Sequence, residues 1–193
     1  MISRAEAAGA LRDIEASEAR ALEARGYSHA SPQLILWGVV WIAGYTLCGL
    51  TPPEQWGWVW LPVDIAGILG SLIIGSRMSA RNLRGGTGSA PQTWRFFWPT
   101  MFVMLSSAAF LGAVFYVFAP AAPEPYLVFP AILVGLLYVV LGAWRMRRMA
   151  WIGAAIFVLA MLGFVFLKPI LAFWIAGVGG GGLVLGGLWL RKA

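Results

Sequence analysis

Thirteen of the fourteen basic residues of this chain lie in alternate segments between long apolar stretches. These stretches span about 32–50, 57–76, 96–118, 126–144, 151–167 and 170–190, and each is roughly long enough to cross ~30 Å of hydrocarbon as a helix. Lys168 is the single basic residue in the other three connections. Because short loops rich in Lys and Arg stay in the cytoplasm during insertion, the pattern predicts an all-α polytopic membrane protein with six transmembrane helices and both termini cytoplasmic.

Composition leaves little room for a separate soluble domain, since 60% of the 193 residues are hydrophobic and 11% are charged. We divide the chain into a cytoplasmic helix over residues 1–30 and a transmembrane domain over residues 31–193. The excess positive charge of +6 belongs entirely to the second part, because residues 1–33 hold four basic and five acidic side chains. Anionic lipid of the inner leaflet is therefore the expected counterion, rather than nucleic acid.

The segment 6–25 is rich in Ala, Leu, Glu and Arg, which favour helix, with a thin apolar side. It is open whether this helix lies on the membrane surface, pairs with a second copy, binds a cytoplasmic protein or simply anchors the first span in solvent. Gly26 suits a helix C-cap, and Ser31 followed by Pro32 suits the start of a new helix. We therefore predict a break over residues 26–31.

Tryptophan residues flank the predicted spans, where their amphipathic rings favour the headgroup region. The predicted outer anchors are Trp56, Trp58 and Trp60, and the predicted inner anchors are Trp94, Trp98, Trp144, Trp151 and Trp189. Trp37, Trp41 and Tyr45 recur at intervals of four in the first span. We interpret this stripe as packing rather than as a cage for a ligand.

Asp64 is the one acid well inside an apolar stretch, and it is the best single candidate for a functional residue. Gly67, Ser71 and Gly75 follow at helical spacing, so all four should share one side of the second helix and face a tight helix contact. One interpretation is an acid that couples to protons or cations. The other is a structural acid that accepts hydrogen bonds from hydroxyls or from a tryptophan NH, with Tyr45, Thr46 and Tyr116 as hydroxyl candidates.

The last predicted helix contains a run of glycines that fits close helix packing, because small residues at intervals of four let two backbones approach. The packing candidates are Gly177 with Gly181 and Gly182 with Gly186. The contact is expected within the bundle or across a homo-oligomer. The alternative is a broken helix that exposes carbonyls to an ion.

Enzymatic functions find little support in the residue types present. His29 is the only histidine and lies outside the apolar stretches, so neither a histidine metal triad nor bis-histidine haem ligation can form. Ser106 and Ser107 have no histidine or lysine in the same zone to activate them. We predict no catalytic residue, no metal site and no cofactor.

Three segments carry a resemblance to a known type of protein: SPQLILWGVVWIAGY at 31–45, VDIAG at 63–67 and GVGGGGLVLGGLWLR at 177–191. Together they resemble uncharacterised small bacterial inner-membrane proteins with a short N-terminal helix and a bundle rich in Trp and Gly. The resemblance implies a bacterial cytoplasmic membrane and no particular activity.

Two functions remain from the sequence. The first is a structural component or sensor, without enzymatic activity, whose helix over residues 6–25 binds a cytoplasmic partner. The second is a small transporter or channel subunit that couples through Asp64.

Overall fold

A computed structural model describes residues 4–84, 93–144 and 146–192, and these residues form helices and short connections without any strand. The α-helices are α1 (Arg4–Leu50), α2 (Trp56–Arg84), α3 (Thr93–Phe118), α4 (Glu124–Trp144), α5 (Arg147–Phe166), α6 (Leu171–Ile175) and α7 (Gly181–Leu190). A π-helical turn, Ala176–Gly180, joins α6 to α7, and two 3₁₀ turns lie at Pro53–Gln55 and Lys168–Ile170. The prediction of an all-α protein is confirmed.

Five helical segments are long and apolar enough to cross a membrane: Gly9–Leu50, Pro53–Met78, Glu124–Ala143, Arg147–Phe166 and Lys168–Leu190. A shorter apolar segment, Leu105–Phe118, represents α3 within the described residues. Many large apolar side chains face outward on these helices, for example Ile73, Leu141 and Phe166. A surface this apolar fits a protein that is surrounded by lipid.

Contacts between helices show that neighbours run antiparallel. Trp37 of α1 meets Ser71 of α2, whereas Gly44, further along α1, meets Trp60, earlier in α2. In the same way Gly38 contacts Gly180, and Gly49 contacts Phe173. Antiparallel order follows from the short connections between long helices.

Because the helices alternate in direction, the basic and acidic connections lie at opposite ends of the bundle. We call one end the basic end, because it carries Arg77, Arg147, Arg148 and Arg191. Arg148 links three elements there: its backbone NH donates to the Tyr27 hydroxyl of α1 at 3.3 Å, and its guanidinium donates to the carbonyl oxygen of Trp189 at 3.2 Å. The other end, which we call the acidic end, carries Glu54, Glu124 and Lys168.

The predicted break over residues 26–31 is wrong, because α1 is one helix of 47 residues that contains Pro32 in its interior. At 1.5 Å per residue it is about 70 Å long. Gly26 packs against Met146 instead of capping a helix. Ser31 is buried and its hydroxyl donates to the carbonyl oxygen of Gly187 at 2.7 Å, so it links α1 to α7 instead of starting a new helix.

Glycines set the closest helix contacts in the bundle. A Cβ added to Gly38 would lie 2.7 Å from the carbonyl oxygen of Gly180, so the two backbones touch where α1 crosses the π-helical turn. Between α4 and α5, a Cβ on Gly153 would lie 2.5 Å from the carbonyl oxygen of Gly135. Backbone contact of this kind requires residues without side chains.

The glycines that the sequence singled out divide into three groups. A Cβ on Gly67 would meet Trp37 at 3.1 Å, and one on Gly186 would meet Ile152 at 2.7 Å, so both lie in tight contacts. A Cβ on Gly182 would only graze Ile156 at 3.8 Å. The remaining three, Gly75, Gly177 and Gly181, have open space where a Cβ would be. A contact of Gly177 and Gly181 across a homo-oligomer stays a prediction, and so does a contact of Gly75 with another helix.

Candidate functional site

A cavity of about 970 Å³ opens between α1, α2, α3 and α4. It extends from the middle of the bundle to the acidic end, where Pro53, Glu54 and the turn over residues 120–123 form its rim. A volume of this order is at the upper end of the range for small-molecule sites.

Aromatic rings form much of the cavity wall. The rings that line it are Trp37, Trp41, Tyr45, Trp56, Trp60, Phe115, Tyr126 and Tyr138. Tyr45 packs edge-on against Trp41 and Trp60, with centroid distances of 5.6 and 5.0 Å. Its hydroxyl donates to the carbonyl oxygen of Leu127 at 3.0 Å. Packing and hydrogen bonding therefore hold this wall in place on both α1 and α4.

Asp64 of α2 is the only charged side chain in the deep part of this wall. It is half-buried, and no hydrogen bond to its carboxylate occurs among the residues that the structure describes. The prediction of a tight helix contact at Asp64 is therefore wrong: Gly67 and Ser71 face α1, while Asp64 borders open space. On the side of α2 that faces α1, Trp37 donates its ring NH to the Ser71 hydroxyl at 3.1 Å.

Three of the hydrogen-bond donors suggested for Asp64 lie or point elsewhere. The Tyr45 hydroxyl is engaged with Leu127, and the ring NH of Trp56 donates to the carbonyl oxygen of Cys48 at 2.9 Å. Tyr116 lies on the outer surface with 87% of its side chain exposed. A carboxylate in apolar surroundings without donors is costly unless a proton or a cation neutralises it.

The acidic residues outside the N-terminal segment all lie in the wall of the cavity or next to its rim. Outside the N-terminal segment the chain has three of them, and Asp64 and Glu54 line the cavity. The third, Glu124, begins α4 next to the rim, and its Oε2 atom is buried without a hydrogen bond from the described residues. The nearest base in that end of the bundle, Lys168, lies in the turn between α5 and α6 with its ammonium 5.5 Å from the Phe164 ring. Acidic side chains therefore outnumber basic ones in and around the cavity.

The tryptophans predicted as interface anchors fall into three groups. Trp58, Trp151 and Trp189 have exposed rings near the ends of helices, where anchors are expected. Trp56 and Trp60 instead line the cavity, and Trp60 packs on Gly44. The side chains of Trp94, Trp98 and Trp144 lie outside the described part of the structure.

The spacing of aromatic residues in the sequence does indicate the aromatic wall of the cavity. Trp56, Trp60 and Asp64 recur at intervals of four, which places two indole rings on the same side of α2 as the carboxylate. The matching stripe of Trp37, Trp41 and Tyr45 on α1 faces it, so the interpretation of that stripe as packing alone is incomplete. The contribution of α4, through Tyr126 and Tyr138, could not be read from spacing within one helix.

Comparisons of the chain with protein-family models, with curated proteins and with solved structures gave no match.

Proposed function

We propose that this chain is a small membrane transporter or carrier subunit that binds a hydrophobic cation in the aromatic cavity and couples its binding to the protonation of Asp64. The observation that carries the proposal is the position of Asp64 in the wall of a 970 Å³ cavity, without a hydrogen-bond donor among the described residues. A structural or sensor role alone would not require such a cavity. The geometry therefore favours the transporter over the purely structural protein.

The proposed setting is a cytoplasmic membrane that the chain crosses six times, with both termini in the cytoplasm. The separation of a basic end from an acidic end supports this orientation, because basic connections stay on the cytoplasmic side. In this orientation the cavity rim at Glu54 faces outward. The bacterial inner membrane follows from the resemblance described above.

The lining of the cavity is more favourable for a positively charged ligand than for a neutral or negatively charged one. Indole and phenol faces attract cations through their quadrupoles, by ~2 kcal/mol where the site is dry, and a carboxylate adds full charge complementarity. An anion would instead be repelled by the carboxylates of Asp64, Glu54 and Glu124. The ligand must also be apolar, because nearly all other lining groups are hydrocarbon, such as Ile68 and Leu133.

Cation binding is coupled to protonation because the cation and the proton compete for the Asp64 carboxylate. In apolar surroundings Asp64 is stabilised either by a proton or by a bound cation, and the two exclude each other. Binding of the cation therefore releases a proton, and protonation releases the cation. No second acid in the deep part of the cavity is needed for this exchange.

A titration with two ions of the same shape and opposite charge tests the proposal. We expect tetraphenylphosphonium to change the tryptophan fluorescence of the protein in zwitterionic nanodiscs saturably, because four indoles line the cavity. Tetraphenylborate should bind at least about tenfold more weakly, since a cation–π contribution of ~2 kcal/mol and the carboxylate both favour the cation. Empty nanodiscs correct for partition into lipid. Equal affinity of the two ions, or no saturable binding, would refute a cation site.

A sensor function stays a second proposal, supported by the continuity of α1. The exposed segment before Gly26 and the cavity residues Trp37, Trp41 and Tyr45 belong to one unbroken helix. A protein that binds residues 6–25 and tilts this helix would therefore also move one wall of the cavity.

Deletion of residues 2–25 tests the sensor function. A cytoplasmic protein should copurify with the full chain and crosslink to it through position 14, whose side chain is exposed. We expect the truncated chain to lose this protein in copurification and to keep its thermal stability. The reason is that this segment contributes no side chain to the buried core that the structure describes. Crosslinks at position 14 that yield no discrete protein partner would argue against the sensor.

A further inference from the structure

We propose that a groove at the basic end binds the headgroup of an anionic phospholipid. The groove has a volume of about 500 Å³ and lies between α1, α2 and the end of α7. Ser28 and Pro32 of α1, Met78 of α2 and two arginines, Arg77 and Arg191, are among its lining residues. It lies at the opposite end of the bundle from the rim of the aromatic cavity, so the proposal does not depend on the function of that cavity.

The charge of the groove selects a phosphate group. Arg77 comes from the last part of α2 and Arg191 follows α7, so two separate elements bring guanidinium groups to one depression. Guanidinium presents paired NH donors that match the oxygens of a phosphate diester. The acid nearest along α1, Glu23, does not line the groove, and it accepts a 2.6 Å hydrogen bond from the Tyr27 hydroxyl. The groove therefore combines two positive charges with no acid in its lining.

The apolar residues of the groove favour a phosphate that belongs to a lipid over a free phosphate ion. Pro32, Ile74 and Met78 lie beside the arginines, and they would be unfavourable contacts for a free hydrated anion. From Ile74 the outer face of α2 continues with Ile73 and Leu69, both about half exposed. This face offers an acyl chain a path along the bundle, directly below the headgroup site.

The test compares two double variants with the same loss of charge. In Arg77→Gln/Arg191→Gln both groove arginines are removed, whereas Arg147→Gln/Lys192→Gln removes two exposed basic residues at the same end that do not line the groove. Native mass spectrometry of the detergent-solubilised protein with phosphatidylglycerol, and with phosphatidylcholine of the same acyl chains, counts the bound lipids. We expect the groove variant to bind phosphatidylglycerol about 30-fold more weakly, because each basic residue near an anionic lipid contributes a factor of roughly five.

Three results would overturn the proposal. Equal losses in the two variants would mean that binding reflects net charge alone. Unchanged binding in the groove variant would mean that the arginines bind no lipid. If inorganic phosphate displaced phosphatidylglycerol at equal concentration, the ligand would be a free phosphate. The proposal is supported when only the groove variant loses the lipid, phosphatidylcholine binds equally weakly to all proteins, and inorganic phosphate does not compete.

Discussion

Replacing Asp64 by asparagine is expected to weaken tetraphenylphosphonium binding about 100-fold at neutral pH, because removing one partner of a buried ion pair costs roughly 3 kcal/mol. The same substitution should abolish the pH dependence of binding. In the unmodified protein the cation competes with a proton for one carboxylate, so its affinity is constant at high pH. It falls by up to about tenfold per pH unit as the carboxyl becomes protonated, until it reaches the affinity of the Asp64→Asn variant. An amide does not titrate, so the profile of the variant should be flat.

Asp13→Asn is the matched control for this experiment, since it makes the same chemical change on the exposed part of α1, far from the cavity. We expect it to keep both the affinity and the pH profile. Tryptophan fluorescence measures all three proteins in the same nanodiscs, and thermal unfolding checks that each is folded. If Asp64→Asn bound the cation as tightly as the parent with an unchanged pH profile, Asp64 would not be the binding carboxylate.

Gly153→Ala is expected to destabilise the bundle by about 2 kcal/mol, because the added methyl group has no room between α4 and α5 and overpacking of this kind costs 1–3 kcal/mol. The new Cβ would lie 2.5 Å from the Gly135 carbonyl oxygen and 2.7 Å from the Val139 backbone nitrogen. Neither is a flexible side chain, so the two helices must separate. The midpoint of unfolding in a mild detergent with increasing SDS measures the effect.

Gly181→Ala is the control, because we expect it to leave the stability unchanged or to raise it. Nothing lies within 4 Å of a Cβ at that position, and alanine is the better helix former by up to ~1 kcal/mol. We therefore expect unchanged or slightly higher stability. If Gly181→Ala were as damaging as Gly153→Ala, a second copy of the chain would have to pack on this face, and the predicted homo-oligomer would gain support. A stable Gly153→Ala variant would show that the α4 and α5 contact is looser than described.

The helical spans were predictable because each depends on local composition. Apolar stretches of the required length and the alternation of Arg with Lys168 need no knowledge of tertiary contacts. Even in the C-terminal span, where the helix contains a π-helical turn over Ala176–Gly180, the limits of the apolar region remain close to the predicted ones. Hydrophobicity predicts that a span exists, while the exact backbone geometry within it depends on neighbours.

Other features depend on partners distant in sequence and were missed for that reason. Pro32 does not break α1, although proline usually marks a helix start, and the buried bond from Ser31 to Gly187 ties this part of α1 to α7. Asp64 was assigned to a close contact because spacing gives the side of a helix but not what lies opposite. Gly135 and Gly142 are seven residues apart on one face of α4, which is a signal for the α5 contact that a search at intervals of four does not find.

The helix α3 forms the wall of the cavity that carries Leu105, Leu111 and Phe115. In its described part, α3 meets α4 through a few ring pairs, such as Phe115 with Tyr126 at 4.6 Å and Phe110 with Phe129 at 6.4 Å. Ring pairs of this kind add only ~1 kcal/mol each beyond the apolar area that they bury, so we expect α3 to be the wall that moves most readily. If the protein binds a hydrophobic cation as proposed, this wall gives the cation a route from the lipid tails that requires no water-filled channel.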